Sequence, residues 1–137
     1  MKYVIYISTS TSLFADAELE GILTISQKNN AINKLTGMLL YSEGCFVQVL
    51  EGDALAVETI YQKIKRDSRH KNIIELAQGQ LTERIFPFWS MGFKAISNGE
   101  LEKFEAYANP EENSLWDKDA DHPALIVLKT FALSNRL

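Results

Sequence analysis

The residue that most strongly indicates chemistry in this chain is a glutamine in the middle of a predicted strand. Gln48 lies between Phe46 and Leu50, and the three side chains share one face because side chains alternate along a strand. Burying an amide without partners is costly, so a core-facing Gln48 needs polar groups that meet both its oxygen and its NH₂. Spacing alone leaves it equally open that Gln48 faces solvent.

Tyr6 is the candidate partner for this amide. It lies in an apolar segment, residues 2–8, that is typical of a first strand. If this strand neighbours the strand of Gln48, the Tyr6 hydroxyl can reach the amide, to which it can donate a hydrogen bond or from which it can accept one.

Two further polar residues continue the apolar stripes of predicted helices. The stripe that begins at Leu19 leads at a 3.6-residue period through Ser26 to Asn30, and the stripe of the second helix points on to Asp67. Both side chains would converge on the gap between the helices, where a planar polar ligand fits between apolar walls. Alternatively, Asn30 merely caps the first helix and Asp67 is solvated just past the second.

The elements that must position these side chains follow from the hydrophobic pattern. Strands are predicted over residues 2–8, 35–41, 45–50, 72–83 and 88–93, the second and third joined by a turn at 42–44. Helices are predicted over about 14–28 and after Asp53, a candidate N-cap. The order β-α-β-β-α-β-β predicts an α+β, ferredoxin-like sheet with both helices packed on one face. The stripe of the second helix consists of Val57, Ile60, Tyr61 and Ile64.

The C-terminal part of the chain predicts a helical extension. A short helix with Leu101, Phe104 and Ala108 is expected before Asn109 and Pro110, followed by an acidic connector over 111–121. A last amphipathic helix begins near Pro123 and carries four apolar residues on one side, Leu125, Leu128, Phe131 and Ala132. We therefore expect one domain over residues 1–97 and an extension over 98–137 that packs on the open face of the sheet and seals Ile5, Ile7 and Val49.

Composition excludes several classes of function. A net charge of −4 provides no basic field for nucleic acid, and the apolar runs are far shorter than the ~20 residues that span a bilayer. The first residues lack the pattern of a signal peptide, so we expect a cytoplasmic protein. One cysteine and two histidines exclude a disulfide framework and a zinc site.

Several linked segments resemble the BLUF family (blue light sensing using flavin) in order and spacing, over about residues 2–95. Besides Tyr6 and Asn30, they are residues 35–37 (Leu-Thr-Gly), 46–52 (Phe-Val-Gln-Val-Leu-Glu-Gly), 67–70 (Asp-Ser-Arg-His) and 84–93 (Arg-Ile-Phe-Pro-Phe-Trp-Ser-Met-Gly-Phe).

This resemblance implies a photoreceptor with a flavin between the two helices. Asn30 would bind the pyrimidine edge of the ring, Gln48 would contact N5 and the C4 carbonyl, and Tyr6 would bond to Gln48. Under blue light the tyrosine of this family gives up an electron and a proton, which return within the same cycle. Because no net chemistry results, the chain is expected not to be an enzyme. A rotated or tautomerised glutamine then shifts the absorption slightly to the red.

The resemblance also implies further members of the site. Trp89 and Met91 would form the strand-five pair whose position follows the glutamine, and Arg69 would lie near the C2 side of the ring. The chain departs from certain relatives at Asn29, where they carry histidine beside the flavin; this leaves open the packing there and the rate of dark recovery, but not the photochemistry. Asp67 and Ser26 complete the expected cofactor-binding set.

The identity of the flavin and the route of the signal are less constrained by the sequence. FAD is the expected flavin, but without a glycine-rich phosphate loop the sequence does not separate it from FMN or riboflavin. With no effector domain in 137 residues, the signal is expected to leave through a homo-oligomer contact or a downstream effector protein.

Three alternatives to this interpretation differ in chemistry. The segment Gly44 to Gln48 superficially resembles the cysteine motif of LOV flavoproteins, but Cys45 begins a strand and points away from the face of Gln48. An acylphosphatase-like hydrolase needs an arginine and a glycine-rich anion loop after strand one, and residues 8–13 contain neither. The third alternative is a small-molecule or protein-interaction module without photochemistry.

Overall fold

The structure is a computed structural model that describes residues 1–12, 16–42, 44–86, 92–95 and 122–134. Its elements are β1 (Lys2–Ser10), α1 (Asp16–Ile32), β2 (Thr36–Ser42), β3 (Cys45–Gly52), α2 (Ala54–Lys65), β4 (His70–Gln80), β5 (Gly92–Ala95) and α3 (Pro123–Ser134). The predicted order of two helices and five strands is therefore confirmed.

The five strands form one sheet in the order β4-β1-β3-β2-β5. β1 pairs antiparallel with β3 and β4, β2 pairs antiparallel with β3, and β5 pairs in parallel with β2. β1 and β3 lie next to each other near the centre of the sheet, as the ferredoxin-like topology requires. This arrangement brings the strand of Tyr6 beside the strand of Gln48.

Several predicted boundaries were wrong. α1 continues to Ile32 instead of ending near residue 28, and β4 covers His70–Gln80 where 72–83 was predicted. The strand predicted over 88–93 is described only from Gly92 to Ala95, and residues 88–91 lie outside the described ranges. The expected short helix with Leu101, Phe104 and Ala108 and the connector over 111–121 also lie outside them.

Local sequence explains where the central elements begin and turn. The carboxylate of Asp53 accepts hydrogen bonds from the backbone N–H groups of Leu55 and Ala56, so it caps α2 as predicted. Between β2 and β3, Gly44 has φ of 82°, a conformation that glycine adopts without steric cost. This residue allows the tight turn that joins the two hairpin strands, and its carbonyl accepts a hydrogen bond from the N–H of Ser10 at 2.8 Å.

Alternation along β1 and β3 divides the core into two layers. On the face of Tyr6, the sheet packs against α1 and α2 through buried Leu19, Leu23, Val57 and Tyr61. On the opposite face, Ile5 and Val49 pack with Ala124 and Leu128 of α3, and Ile7 and Phe131 lie beside them. α3 therefore covers the second face of the sheet, while the side chains of Leu125 and Ala132 lie outside the described part of the chain.

β4 forms one edge of the sheet and pairs irregularly with β1. The register shifts twice, between Ile5 and Tyr6 and again between Ile7 and Thr9. Two apolar side chains of this strand, Ile74 and Leu76, are exposed. Among the helices of the described ranges, none is long and apolar enough to cross a membrane.

Candidate functional site: a cleft between two helices

A tyrosine and a glutamine form the centre of the site. Tyr6 and Gln48 are directly opposed residues of β1 and β3, and only 3% and 5% of their surfaces are exposed. The Tyr6 hydroxyl donates a hydrogen bond to Gln48 Oε1. Gln48 therefore lies in the core, and the alternative that it faces solvent is wrong.

The environment of the Tyr6 hydroxyl keeps its proton in place. Burial raises the pKa of Tyr6 far above its usual value, and the negative charges that Tyr61 and Asp67 can carry raise it further. A neutral phenol is the form that can donate the observed hydrogen bond. The resting site thus holds a protonated donor against the amide oxygen of Gln48.

A cleft lies directly over this pair, with α1 and α2 as its walls. Its apolar lining consists of Ile22, Ile25, Leu39, Phe46, Leu50, Ile60 and Ile64. Its polar lining consists of Tyr6, Ser26, Asn29, Asn30, Gln48, Lys63, Asp67, Arg69 and His70. All seven residues that we expected to bind a cofactor therefore line one cleft. Trp89 and Met91 lie outside the described residues.

Asn30 is the buried polar residue that α1 contributes to the cleft. Its exposed fraction is 3%, and its backbone carbonyl accepts a 2.8 Å hydrogen bond from the N–H of Leu35. Because α1 continues to Ile32, Asn30 lies within the last turn of the helix and not at its cap. The alternative that Asn30 only caps the helix is therefore wrong, because Asn30 is helical and also lines the cleft.

Asp67 and Arg69 form an ion pair just past the end of α2. Arg69 Nη2 lies 2.5 Å from Asp67 Oδ2, and the Arg69 backbone N–H donates to Oδ1 at 2.9 Å. The hydrogen bonds from Arg69 lower the pKa of the Asp67 carboxyl, and the same carboxylate raises the pKa of Arg69. Both groups are partly exposed, so the pair adds little stability. Its effect is to orient a guanidinium group at the edge of the cleft.

His70 also lines the cleft, although no role was predicted for it from the sequence. Its Nδ1 lies 2.8 Å from Ser8 Oγ and its Nε2 lies 2.5 Å from the carbonyl oxygen of Ile64. Since a carbonyl oxygen only accepts, Nε2 carries the proton. His70 thereby joins the start of β4 to β1 and to the end of α2. The sequence did offer one indication of a role for His70, because it follows Arg69 in the segment 67–70 that resembles the BLUF family.

The thiol of Cys45 is not positioned for chemistry in the cleft. Cys45 lies at the start of β3, is absent from the lining of the cleft, and burial raises the pKa of its thiol. A thiol with a raised pKa is a poor nucleophile. Within the described ranges no group of three His, Cys, Asp or Glu residues could hold a metal ion.

Comparison with known proteins decides the family. The family described as "BLUF: Sensors of blue-light using FAD" matches residues 1–92. The chain belongs to the BLUF family. It is a flavin-binding blue-light sensor, as the resemblance of its motifs predicted.

A curated relative of the chain is a much longer protein. Photoactivated adenylate cyclase subunit beta of Euglena gracilis is 37% identical over 82 residues, which are 60% of this chain and 10% of that protein. The chain spans about a tenth of the length of the curated relative that it matches.

Solved BLUF structures confirm the ferredoxin-like fold. BlrB, described as a BLUF protein in its dark state, has a TM-score of 0.67 and 28% identity, with 97% of this chain and 96% of that chain covered. Klebsiella pneumoniae BlrP1, solved with FMN and cyclic diGMP, has a TM-score of 0.77 and 25% identity, with 96% of this chain and 34% of that chain covered.

Proposed function

We propose that this BLUF domain senses blue light through a reversible rearrangement of the hydrogen bonds around Gln48. The observation that carries the proposal is the buried hydrogen bond from the Tyr6 hydroxyl to Gln48 Oε1 on the floor of the cleft. A buried phenol and a buried amide in direct contact can exchange a proton. The hydrogen bond between them can also be rearranged without any atom being gained or lost.

The residues of the cleft fit an isoalloxazine ring. Ile22 of α1 and Ile60 and Ile64 of α2 provide apolar walls for the faces of a planar ring. Asn30 and Gln48 provide buried amides, each of which can donate and accept hydrogen bonds along its polar edge. Such a combination of apolar walls and a few placed polar groups is typical of cofactor sites.

We assign the following roles to individual residues. Asn30 would bind the pyrimidine edge of the flavin, and Gln48 would contact its N5 and C4 carbonyl. Arg69, oriented by Asp67, would hold the C2 side of the ring. Ser26 and Asn29 complete the α1 side of the cleft.

The light-driven step belongs to Tyr6 and Gln48. When bound, a flavin that has absorbed blue light supplies a strong one-electron oxidant. Tyr6 would give up an electron and its phenolic proton to the excited flavin, and both would return to Tyr6 within the same cycle, so that no net oxidation results. The lasting change would be a rotated or tautomerised Gln48 side chain with a stronger hydrogen bond to the C4 carbonyl, which would shift the absorption to the red. Residues 1–92 carry no enzymatic activity in this scheme.

We propose FAD as the flavin. The family is described as sensing blue light with FAD, which supports FAD in this chain. BlrP1 was solved with FMN, which would support a cleft that also accepts a flavin with a shorter tail. Denaturing the purified protein and separating the released flavin by chromatography distinguishes FAD, FMN and riboflavin. FMN or riboflavin as the only flavin released would contradict the proposal.

A single pair of spectra tests the function. Protein reconstituted with FAD should show the absorbance of an oxidised flavin, a small red shift under blue light, and full recovery in darkness. A bleached flavin band would instead indicate a cysteinyl adduct. Absence of flavin absorbance after reconstitution, or a spectrum insensitive to light, would overturn the proposal.

We propose that the light signal leaves through protein contacts of a cytoplasmic protein. Trp89 and Met91 would follow Gln48, and the receiving surface would belong to a second copy of the chain or to an effector protein. The cyclase named in the Euglena relative supports an effector linked to the sensor in that protein. Light-dependent sizing of the purified chain tests the first option, since a change in mass on illumination requires self-association.

A further inference from the structure

A fully buried carboxylate lies outside the cleft at the end of β3. Glu51 is 0% exposed, and because it is an odd number of residues from Gln48 it projects from the opposite face of the strand. Burying a carboxylate is expensive unless hydrogen-bond donors surround it. Glu51 does not line the cleft, so binding of a ligand there does not explain why this carboxylate is buried.

Three donors meet the Glu51 side chain. Oε1 accepts from the Thr36 hydroxyl at 2.8 Å and from the backbone N–H of Phe86 at 2.7 Å. Oε2 accepts from the backbone N–H of Ile85 at 2.8 Å. An ionised carboxylate is an acceptor only, and all three of these partners donate. Two of the three belong to the backbone of the segment that leads to β5.

Arg84 ties the same place to the end of α1. Its Nη1 donates to Thr36 Oγ1 at 3.0 Å, and its Nη2 donates to the carbonyl of Lys34 at 2.7 Å. Lys34 has a positive φ of 56° in the turn that follows α1, the helix that carries Asn30. We call Glu51, Thr36, Arg84 and the backbone N–H groups of residues 85 and 86 the Glu51 clamp.

The Glu51 clamp lies where the chain departs toward β5 and under α3. Thr36 pairs with Glu51, and two residues further along β2 Met38 pairs with Gly92, the first residue of β5. The side chain of Phe86 is buried in the cluster that contains Leu128 of α3. The clamp therefore joins the strand of Gln48 to residues 85 and 86, which precede β5 in the chain and, through Phe86, share a buried cluster with α3.

We propose that Glu51 is a positioning residue for signal output, an inference that rests on the proposed function. The Glu51 carboxylate holds the backbone of Ile85 and Phe86 against β3. These two residues, which precede β5 in the chain, are therefore kept in a fixed position. A change around Gln48 is then passed to β5 and α3. Without the carboxylate, residues 85 and 86 are free to move, and their movement takes up the change around Gln48. The photochemistry then still occurs, but β5 and α3 no longer respond to it.

The test compares Glu51→Gln with Glu83→Gln in the flavin-loaded full chain. Both variants replace one carboxylate by an amide, but Glu83 is exposed and next to Arg84, which makes it a matched control. In Glu51→Gln the amide NH₂ faces a backbone donor, so hydrogen exchange at residues 85 and 86 should become about tenfold faster, equivalent to about 1.4 kcal/mol. The red shift should keep its size because Glu51 does not line the cleft.

The deciding measurement is the light-minus-dark difference in hydrogen exchange at residues 92–95 and 123–134, divided by the fraction of protein photoconverted. Loss of about half of this difference or more in Glu51→Gln, with a full difference in Glu83→Gln, supports the proposal. A full difference in Glu51→Gln, or unchanged exchange at residues 85 and 86, overturns it.

A second variant covers the case in which Glu51→Gln does not fold. Thr36→Val removes the hydroxyl that donates to Glu51 and accepts from Arg84, and it should reduce the same difference to a smaller extent. A full difference in Thr36→Val would then overturn the proposal. A wild-type protein without any red shift would instead overturn the proposed function, and this inference with it.

Discussion

Tyr6 and Gln48 face each other across β1 and β3, joined by a hydrogen bond from the phenol to the amide oxygen. Directly opposed side chains of an antiparallel pair are neighbours by geometry, so the contact depends on strand register and not on a mobile loop. If either strand slipped by one residue, its member of the pair would turn to the other face and the contact would be lost. The register of the two central strands therefore fixes the positions of Tyr6 and Gln48 relative to each other.

Replacing Tyr6 by phenylalanine should abolish the red shift while flavin is retained. The change removes the hydroxyl that donates to Gln48 but keeps the ring that packs in the core. Absorption spectra in darkness and under blue light measure both properties. Tyr61→Phe is the matched control, since its ring lies 5.5 Å from that of Tyr6. A normal red shift in Tyr6→Phe would show that another residue is the donor.

Gln48→Leu should also retain flavin and lose the red shift. Leucine has a similar volume, but it offers no hydrogen bond to the Tyr6 hydroxyl or to a flavin, so nothing is left to rearrange. Gln78→Leu, an exposed position on β4, controls for the loss of an amide elsewhere. If illuminated Gln48→Leu shifts to the red as the wild type does, the switch lies in another side chain.

Stability should decline at alkaline pH, in part because of Tyr6. Burial raises the pKa of Tyr6 in the folded protein, whereas the unfolded chain releases this proton near pH 10. Below about pH 10 Tyr6 is protonated in both states, and its contribution to the free energy of unfolding is complete. Above about pH 10 this contribution falls by up to about 1.4 kcal/mol per pH unit.

Urea unfolding at about pH 9 and pH 11 measures this loss. Tyr6→Phe should lose less stability than the wild type over this interval. Tyr61→Phe should show a similar effect, because burial and the nearby Glu75 raise the pKa of Tyr61 to about 12. Equal losses in the wild type and Tyr6→Phe would show that Tyr6 titrates normally in the folded protein.

Leu128→Ala should destabilise the protein through the face of the sheet opposite the cleft. Leu128 is fully buried in the cluster with Ile5 and Val49, and truncating such a leucine costs about 2–5 kcal/mol. Ile126→Ala on the same helix is the control, since its side chain is 49% exposed and should cost far less. Thermal unfolding compares the two variants, and equal losses would show that α3 does not depend on this contact.

The sequence predicted the cleft better than it predicted the boundaries of the elements that surround it. The 3.6-residue period led directly to Asn30, and the topology placed Tyr6 beside Gln48. The end of α1 was missed because Asn29 and Asn30 have the low helix propensity typical of a terminus, whereas the helix continues to Ile32. Tertiary burial of Asn30 outweighs that local preference.

The Glu51 clamp could not be predicted from pattern. A glutamate followed by glycine after a strand is typical of a solvated turn. Two of its three donors are backbone N–H groups 34 and 35 positions along the chain, and a backbone group has no residue type that a sequence could reveal. His70 was missed for a related reason, because one of its partners is the carbonyl oxygen of Ile64.

The irregular pairing of β4 has a consequence for how copies of the chain meet. β4 is an edge strand of eleven residues, and its Ile74 and Leu76 are exposed. If such a strand were straight, the β-strand of another molecule could pair with it along its whole length. The two register shifts against β1 interrupt such pairing and increase the local twist of β4. They thereby discourage fibril growth along this edge.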